Sequence, residues 1–432
     1  MAALRSSFSS YRLLIFLATA WALASCIFLL DSNLFSAREK FQESDFIMTF
    51  YVAGDLATKG RYEELYPSSN ARSFIGSPFD KAAHALLPHL PKQTTGAYMY
   101  TPLVAGFFAP FSLLDPNAAL LAWQVLSILA LAVCTLLLGH ITGRKPSDIF
   151  FLSFLFAPVF LTLWAGQLGL GFGLLPLCIG YFLILRERPL LAGIVWSLLL
   201  LKPQFFMPAA FVAIVCACMK RFRVLIGITL GIAGLLVLTI AIFSWPVTLQ
   251  WVLSHRVSDV YFFSGLQGIP SHLITGLPAN LMVLFPMDER DAVKLPLYIG
   301  AALFWIFGLL FCWRFGKSQV NESTQISVAF IVGLFLASVT LPHFLYYDLC
   351  LLLPAGVLLL AKSGPTFRFS GLRSVAVIGW IMISGFLPPL LVFSHQKMLP
   401  LVLEILIVLL FAQTIRRLNL STRCPEQELS SL

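Results

Sequence analysis

The chain has 432 residues, of which 59% are hydrophobic and only 11% are charged. Soluble domains carry about 25% charged residues, and their cores stop growing near ~250–300 residues, so lipid must solvate most of this chain. The net charge of +9 then reads as basic cytoplasmic loops, and nucleic-acid binding is set aside as its cause.

In lipid, each backbone polar group must be satisfied internally. The apolar runs here are long and continuous, whereas barrel strands alternate every second residue. The sequence therefore predicts an all-α, polytopic membrane helical bundle. At the N-terminus, Leu23-Ala24-Ser25-Cys26 is similar to a lipoprotein cleavage box, but Ile27-Phe28-Leu29-Leu30 continue the apolar run. That favours an uncleaved first helix. Seven of the eight cysteines fall in apolar runs, and none lies in the polar loop after the first helix. No disulfide framework and no zinc spacing is expected.

In chain order, the apolar spans read Tyr11–Leu30, Ala118–Leu138, Ile149–Trp164, Leu170–Leu185, Leu190–Leu201 and Phe205–Met219. They continue with Val224–Phe243, Leu295–Trp313, Ile326–Leu341, Tyr347–Ala361, Val375–Phe393 and Leu399–Ala412. That gives about 12 transmembrane helices. Tyr100–Leu114 and Leu273–Phe285 are apolar but carry prolines, and either a span or an interfacial helix fits them. Basic residues choose between these. With both stretches interfacial, seventeen of the 29 Lys and Arg fall in cytoplasmic segments. Both termini are then cytoplasmic. Residues 1–418 form one transmembrane domain, with 31–99 as the first extracytoplasmic loop and 244–294 as a second outer segment. Residues 419–432 read as a disordered cytoplasmic tail.

Polar chemistry concentrates on the outer face. The first loop holds eight of the 20 carboxylates. Ser44-Asp45-Phe46 opens an amphipathic stretch suited to the membrane surface, with Ser44 or Asp45 as its cap. The same Asp45 could act as a general base, with Asp55 as a neighbour. The second segment holds Trp245, Trp251, His255, Arg256 and Tyr261-Phe262-Phe263. Gln167, Lys202-Pro203-Gln204, Pro342-His343 and Asp348 sit at outer helix ends under one topology. A Lys or His at such a depth is costly unless paired or functional, and Lys202 suits a phosphate. Snorkelling is the plainer reading of Lys202, and a helix-end bond to a carbonyl that of His343. Glu404 lies inside the last span with no evident partner. P-loop, nucleotide-binding glycine, G-x-S-x-G and H-E-x-x-H motifs are absent, which disfavours ATP-driven transport and zinc proteolysis. A transporter or flippase of a lipid-linked sugar shares the outer polar groups, but such proteins usually show internal repeats, and none is visible.

One ordered set of short motifs carries more. It comprises Asp45-Phe46, Tyr51-Val52-Ala53, Gly60-Arg61-Tyr62, Tyr66-Pro67 and Tyr98-Met99-Tyr100-Thr101-Pro102-Leu103. Gly166-Gln167, Leu201-Lys202-Pro203-Gln204, Pro342-His343 and Tyr347-Asp348-Leu349 complete it. In order and spacing, over about residues 12–362, this resembles glycosyltransferase family 87. The chain departs from the pattern at Thr101-Pro102, where many members carry two prolines. The resemblance implies a GT-C fold, similar to the mannosyltransferases that elongate phosphatidylinositol mannosides. It implies a polyprenyl-phosphate sugar donor, often mannose, and inversion at the anomeric carbon. The loop is long between Tyr66 and Tyr98, so the family's acceptor is not carried over, and a lipid or glycan is expected. No cofactor is expected and no metal-ligand cluster is visible in the sequence; the charge pattern puts the site on the extracytoplasmic side of the plasma membrane. Asp45 matches the catalytic base in the first outer loop. Lys202 and His343 match positions suited to the donor phosphate, and Gln167 and Gln204 match polar positions nearby. Tyr100, Arg256 and Asp348 are further site candidates.

Overall fold

The computed structural model describes residues 2–34, 44–68, 70–71, 73–92, 94–263, 273–317, 321–361, 372–386, 389 and 398–423. The side chains of residues 2–11, 33–34, 256, 258–263, 287 and 420–423 lie outside that description. So do the expected aromatic cluster Tyr261-Phe262-Phe263 and the tail from residue 424.

Helices are the only regular elements among the described residues, and the one extended pairing among them is an isolated antiparallel bridge between Ile274 and Leu345. Six helices are long and apolar enough to cross a membrane: Arg12–Ser32, Pro116–Thr142, Arg223–Phe243, Arg290–Gly316, Glu322–Thr340 and Met398–Asn419. Pro146–Phe154 and Ala157–Ala165 make a seventh only as one span bent by 72°. This is fewer full-length crossings than the twelve expected. The other apolar runs form shorter helices: Gly169–Leu185, Pro189–Leu201, Pro203–Cys218, Tyr346–Leu360 and Leu372–Gly385. Proline is the physical cause at several borders. Pro146, Pro158, Pro189 and Pro203 each stand at or near a helix start, where a missing N–H costs nothing but the preceding helix cannot continue.

Burial separates the layers. The apolar window of Glu322–Thr340 is 89% buried, against 17–22% for Arg12–Ser32, Arg223–Phe243 and Arg290–Gly316. The first is the central post; the others turn large apolar side chains such as Phe16, Val237 and Leu303 outward, as lipid-facing helices do. On the post, the Tyr181 hydroxyl meets Ser327 at 2.5 Å, and its ring stacks on Phe330 with centroids 4.1 Å apart.

Both ambiguous stretches are too short to span. Tyr100–Leu114 contains helix Pro102–Phe108 and the tight turn Ala109–Leu113. Leu273–Phe285 contains helix Leu277–Met282, and its start docks on the turn after the post through Thr275 N–H to the Phe344 carbonyl, 2.9 Å. The last helix runs on to Arg423, into the stretch expected to be tail.

Candidate active site

After the first helix, the described chain resumes at Ser44. The Ser44 hydroxyl accepts from Ile47 N–H at 3.2 Å, so Ser44 serves the helix start. Asp45 makes no capping bond, and its side chain is left to point elsewhere. A wide, π-type turn, Phe46–Tyr51, then runs into helix Val52–Thr58. Aromatic packing clamps this segment to the bundle. Phe46 meets Phe108 edge-on at 5.5 Å, and Phe50 stacks on Phe108 at 5.2 Å. Phe108 in turn meets Trp123 edge-on at 5.0 Å. Such pairs add roughly 0.5–1.5 kcal/mol each beyond their burial. The Tyr51 hydroxyl donates to the Leu114 carbonyl at 2.9 Å, tying the segment to the end of the Tyr100–Leu114 stretch.

Gln167 arrives from the bent span. Helix Ala157–Ala165 ends at Gly166, whose φ of +65° lies in the left-handed region. Only glycine enters that region at no steric cost. The turn is pinned by the Trp123 indole N–H to the Gly166 carbonyl, 3.0 Å, and by Gln124 to the Leu163 carbonyl, 3.0 Å. A Cβ on Gly166 would lie 2.5 Å from the Phe46 Cβ. Gly166 therefore sets both the turn and the closeness of the two segments. Gly166→Ala is expected to cost about 2–4 kcal/mol, from left-handed strain plus overpacking. It should also separate Gln167 from Asp45. Thermal melting together with turnover in liposomes checks both effects.

The Gln167 amide N–H donates to Asp45 Oδ2 at 2.7 Å. Gln167 is 3% exposed, and its Oε1 has no hydrogen-bond partner among the described residues. Asp45 is half-buried, and its second oxygen, Oδ1, makes no hydrogen bond among the described residues. One carboxylate oxygen is thus held and the other is left open.

The cation comes from much later in the chain. Lys202 precedes Pro203, and a residue before proline is driven out of the helical region. Its φ of −132° and ψ of 93° follow, and the apolar stretch breaks there. The Lys202 ammonium reaches Asp348 Oδ1 at 2.6 Å, with the two side chains 3% and 0% exposed. It also lies over the rings of Phe205, 4.5 Å, and Tyr347, 5.2 Å. Asp348 Oδ2 accepts from Leu345 N–H at 3.1 Å and from Gln204 at 3.5 Å, and Gln204 also donates to the His343 carbonyl at 3.2 Å. Both oxygens of that buried carboxylate thus face donors, as a buried charge requires. Thr162 donates to the Tyr347 carbonyl at 2.9 Å and so links this turn to the helix that carries Gln167.

The two groups share one field. Burial pushes the Asp45 carboxyl above its ordinary 3.8; the Gln167 bond and the Lys202 charge pull it back, and Asp348 pushes it up again. Burial likewise raises the Tyr100 phenol well above its ordinary value, and the charges of Asp348 and Asp45 add to that rise. Tyr100 packs on Phe50 with ring centroids 4.9 Å apart. A carboxylate, an ion pair and a phenol from four distant chain segments therefore come within electrostatic reach of one another.

Residues 98–342 match the model of glycosyltransferase family 87, more than half of the chain. This chain belongs to glycosyltransferase family 87. It is accordingly a membrane glycosyltransferase. Searches of the curated proteins and of the solved structures give no match.

Within this family 87 chain, the matched region carries Tyr100, Gln167, Lys202 and Gln204, while Asp45, His343 and Asp348 lie outside it. Of the nine residues singled out in the sequence, Asp45, Gln167, Tyr100, Lys202, Gln204 and Asp348 come together. His343 joins through its backbone carbonyl. Asp55 does not join. It pairs with Lys59 at 2.8 Å and lines a separate cavity of about 520 Å³ on the first loop, with Arg61, Glu64 and Lys81. The i,i+4 spacing to Lys59 explains that better than any neighbourhood with Asp45. Arg256 lies on helix Trp245–Phe263, and its side chain falls outside the described residues. Sequence reading missed Trp123 and Gln124, which hold the Gly166 turn. Their position near the start of a long apolar helix was the available signal, since polar edges there must find partners.

Proposed function

We propose that this glycosyltransferase moves a sugar, most simply a hexose such as mannose, from a polyprenyl-phosphate donor to a lipid or glycan acceptor on the extracytoplasmic face, with inversion. The observation that carries the reading is the half-open Asp45 carboxylate beside the buried Lys202–Asp348 pair: one oxygen is held by Gln167, and the other makes no hydrogen bond among the described residues. A lipid-phosphate sugar is already activated and needs no nucleotide pocket. An acceptor hydroxyl gives its proton to Asp45 Oδ1 as its oxygen attacks the anomeric carbon. The bond from that carbon to the phosphate oxygen breaks, and the phosphate leaves with the electron pair. Lys202 has three donors and Asp348 takes one, so two remain to meet charge gathering on the phosphate. His343, on the turn bonded to Gln204, is the second group suited to the phosphate. Gln167 Oε1, which has no hydrogen-bond partner among the described residues, is a ready acceptor for a sugar or acceptor hydroxyl. The protein would sit in the plasma membrane with twelve crossings, counting the shorter helices, and with both termini cytoplasmic.

Purified protein in liposomes, given polyprenyl-phosphate mannose or a nucleotide sugar, tests the donor class. Transfer from the lipid donor with inverted product stereochemistry is the expected result. Transfer from the nucleotide sugar alone would overturn the reading. The pH profile adds a second check. The Asp45 carboxyl is raised by burial, and a base must be ionised. Turnover is expected to fall on acidification through a pKa above the ordinary 3.8. A profile flat down to pH 4 would remove Asp45 as the base.

A further inference from the structure

A second site lies at the opposite end of the bundle. Helix Pro116–Thr142 starts at the aromatic cluster beside Asp45 and ends at Gly143-Arg144. Twenty-seven residues at 1.5 Å each put those ends about 40 Å apart. At the far end, Arg144, Asp148 and Arg373 rim a cavity of about 1010 Å³. Its walls are apolar: Leu14 of the first helix, Leu152, Val357, Val377, Trp380 and Ile381. Leu14, Val377 and Ile381 are 44%, 45% and 65% exposed, so the groove opens sideways into the surrounding lipid. Along helix Leu372–Gly385 it runs from Arg373 to Ser384, about 16 Å. Half of a ~30 Å hydrocarbon core is about 15 Å. The groove is one leaflet deep, with its cations at the water edge.

We infer that this groove binds one anionic diacyl phospholipid from the leaflet opposite the catalytic cluster, its phosphate held by Arg144 and Arg373. The rim carries two guanidinium groups and one carboxylate, a net positive mouth over an apolar slot. That is the charge pattern of a phospholipid standing upright. Arg144 is aimed in advance: one N–H donates to the Leu360 carbonyl at 3.1 Å, at the end of helix Leu353–Leu360. Among the described residues, four of its five donors remain for phosphate oxygens. The inner end of the groove is Ser384. Its hydroxyl donates to the Leu155 carbonyl at 3.1 Å and accepts from Ala157 N–H at 3.2 Å, across the break of the bent span. That same span ends at Gly166-Gln167. The lipid therefore braces the helix pair that presents Gln167 to Asp45. The polyprenyl donor is a poor fit here, because its phosphate belongs beside Asp45, about 40 Å away.

Native mass spectrometry of the full chain in detergent tests this. Phosphatidylglycerol, phosphatidylcholine or polyprenyl phosphate is added in turn. One retained phosphatidylglycerol per chain is expected, in preference to phosphatidylcholine. Arg373→Gln should lower that retention about fivefold, and Arg144→Gln with it about 25-fold, since each basic group near a membrane surface is worth about this factor. Leu152→Trp, which fills the slot without touching charge, should also lower retention. Thermal melting keeps unfolded variants from being misread; Arg373→Gln removes no hydrogen bond that the fold uses among the described residues. Equal retention by the parent chain and Arg373→Gln would overturn the inference. So would phosphatidylcholine bound as well as phosphatidylglycerol, or polyprenyl phosphate displacing the bound lipid at lower concentration. The exclusion of the polyprenyl donor from this groove rests on the donor class proposed above, which the liposome transfer assay tests separately.

Discussion

Asp45→Asn is expected to lower sugar transfer by about 10²–10⁴-fold, the usual contribution of a positioned base, while the fold stays intact. The side chain keeps its shape and an oxygen that can still accept from Gln167. What it loses is the ability to take a proton. The fold should not suffer, and the sign can be worked out. The folded carboxyl sits above its ordinary 3.8 because burial disfavours its charge. Its contribution to stability is full below 3.8 and is lost as pH rises through the folded value. At neutral pH the ionised Asp45 is therefore a cost, and the amide variant should melt at the same temperature or higher. Donor binding should persist, because Lys202 keeps its partner Asp348. Turnover in liposomes, donor binding and thermal melting on one preparation give the test. Normal turnover by the variant would end the assignment of Asp45.

Some of this site was legible in the sequence, and the reason is local. Gln167, Lys202 and Asp348 announced themselves as polar residues where apolar runs break, and Asp45 as the head of an amphipathic stretch; breaks are written by neighbours such as Gly166 and Pro203. Which of them would pair was not legible. Gln167 lies 122 residues from Asp45, and Asp348 lies 146 from Lys202. No local spacing encodes such meetings; only the stacking of helices does. Sequence reading offered Asp55 as a neighbour for Asp45 and gave Lys202 a phosphate. The structure gives that place to Gln167 and ties Lys202 to Asp348 instead. The helical class of the fold was readable from composition, because lipid leaves few alternatives. The lengths of the helices were not, because a proline early in an apolar run starts a new helix without interrupting hydropathy. Glu404 remains apart from the site. It is fully buried with neither oxygen hydrogen-bonded among the described residues, and we have no physical account of it.

The second large effect concerns the ion pair. Lys202→Met should destabilise the chain by about 3–5 kcal/mol, because it strands the Asp348 carboxylate in the interior. Asp348→Leu should do the same by stranding Lys202. Either loss would abolish activity, yet neither alone separates folding from chemistry. The double replacement does. With both charges gone, the burial penalty goes too, and a methionine beside a leucine suits a site where Phe205 and Tyr347 already pack. The double variant is expected to regain most of the stability lost by either single one. Buried ion pairs elsewhere behave this way when apolar groups of similar volume replace them. If Lys202 serves only to neutralise Asp348, the double variant should also regain turnover. If it meets the donor phosphate, turnover should stay about 10²-fold or more below the parent, the scale of one lost charge-stabilising donor. Affinity for the lipid donor should fall as well. Melting temperature, donor affinity and turnover of the three variants decide between the two roles. A stable double variant with parental turnover would remove Lys202 from the chemistry and leave it as part of the scaffold.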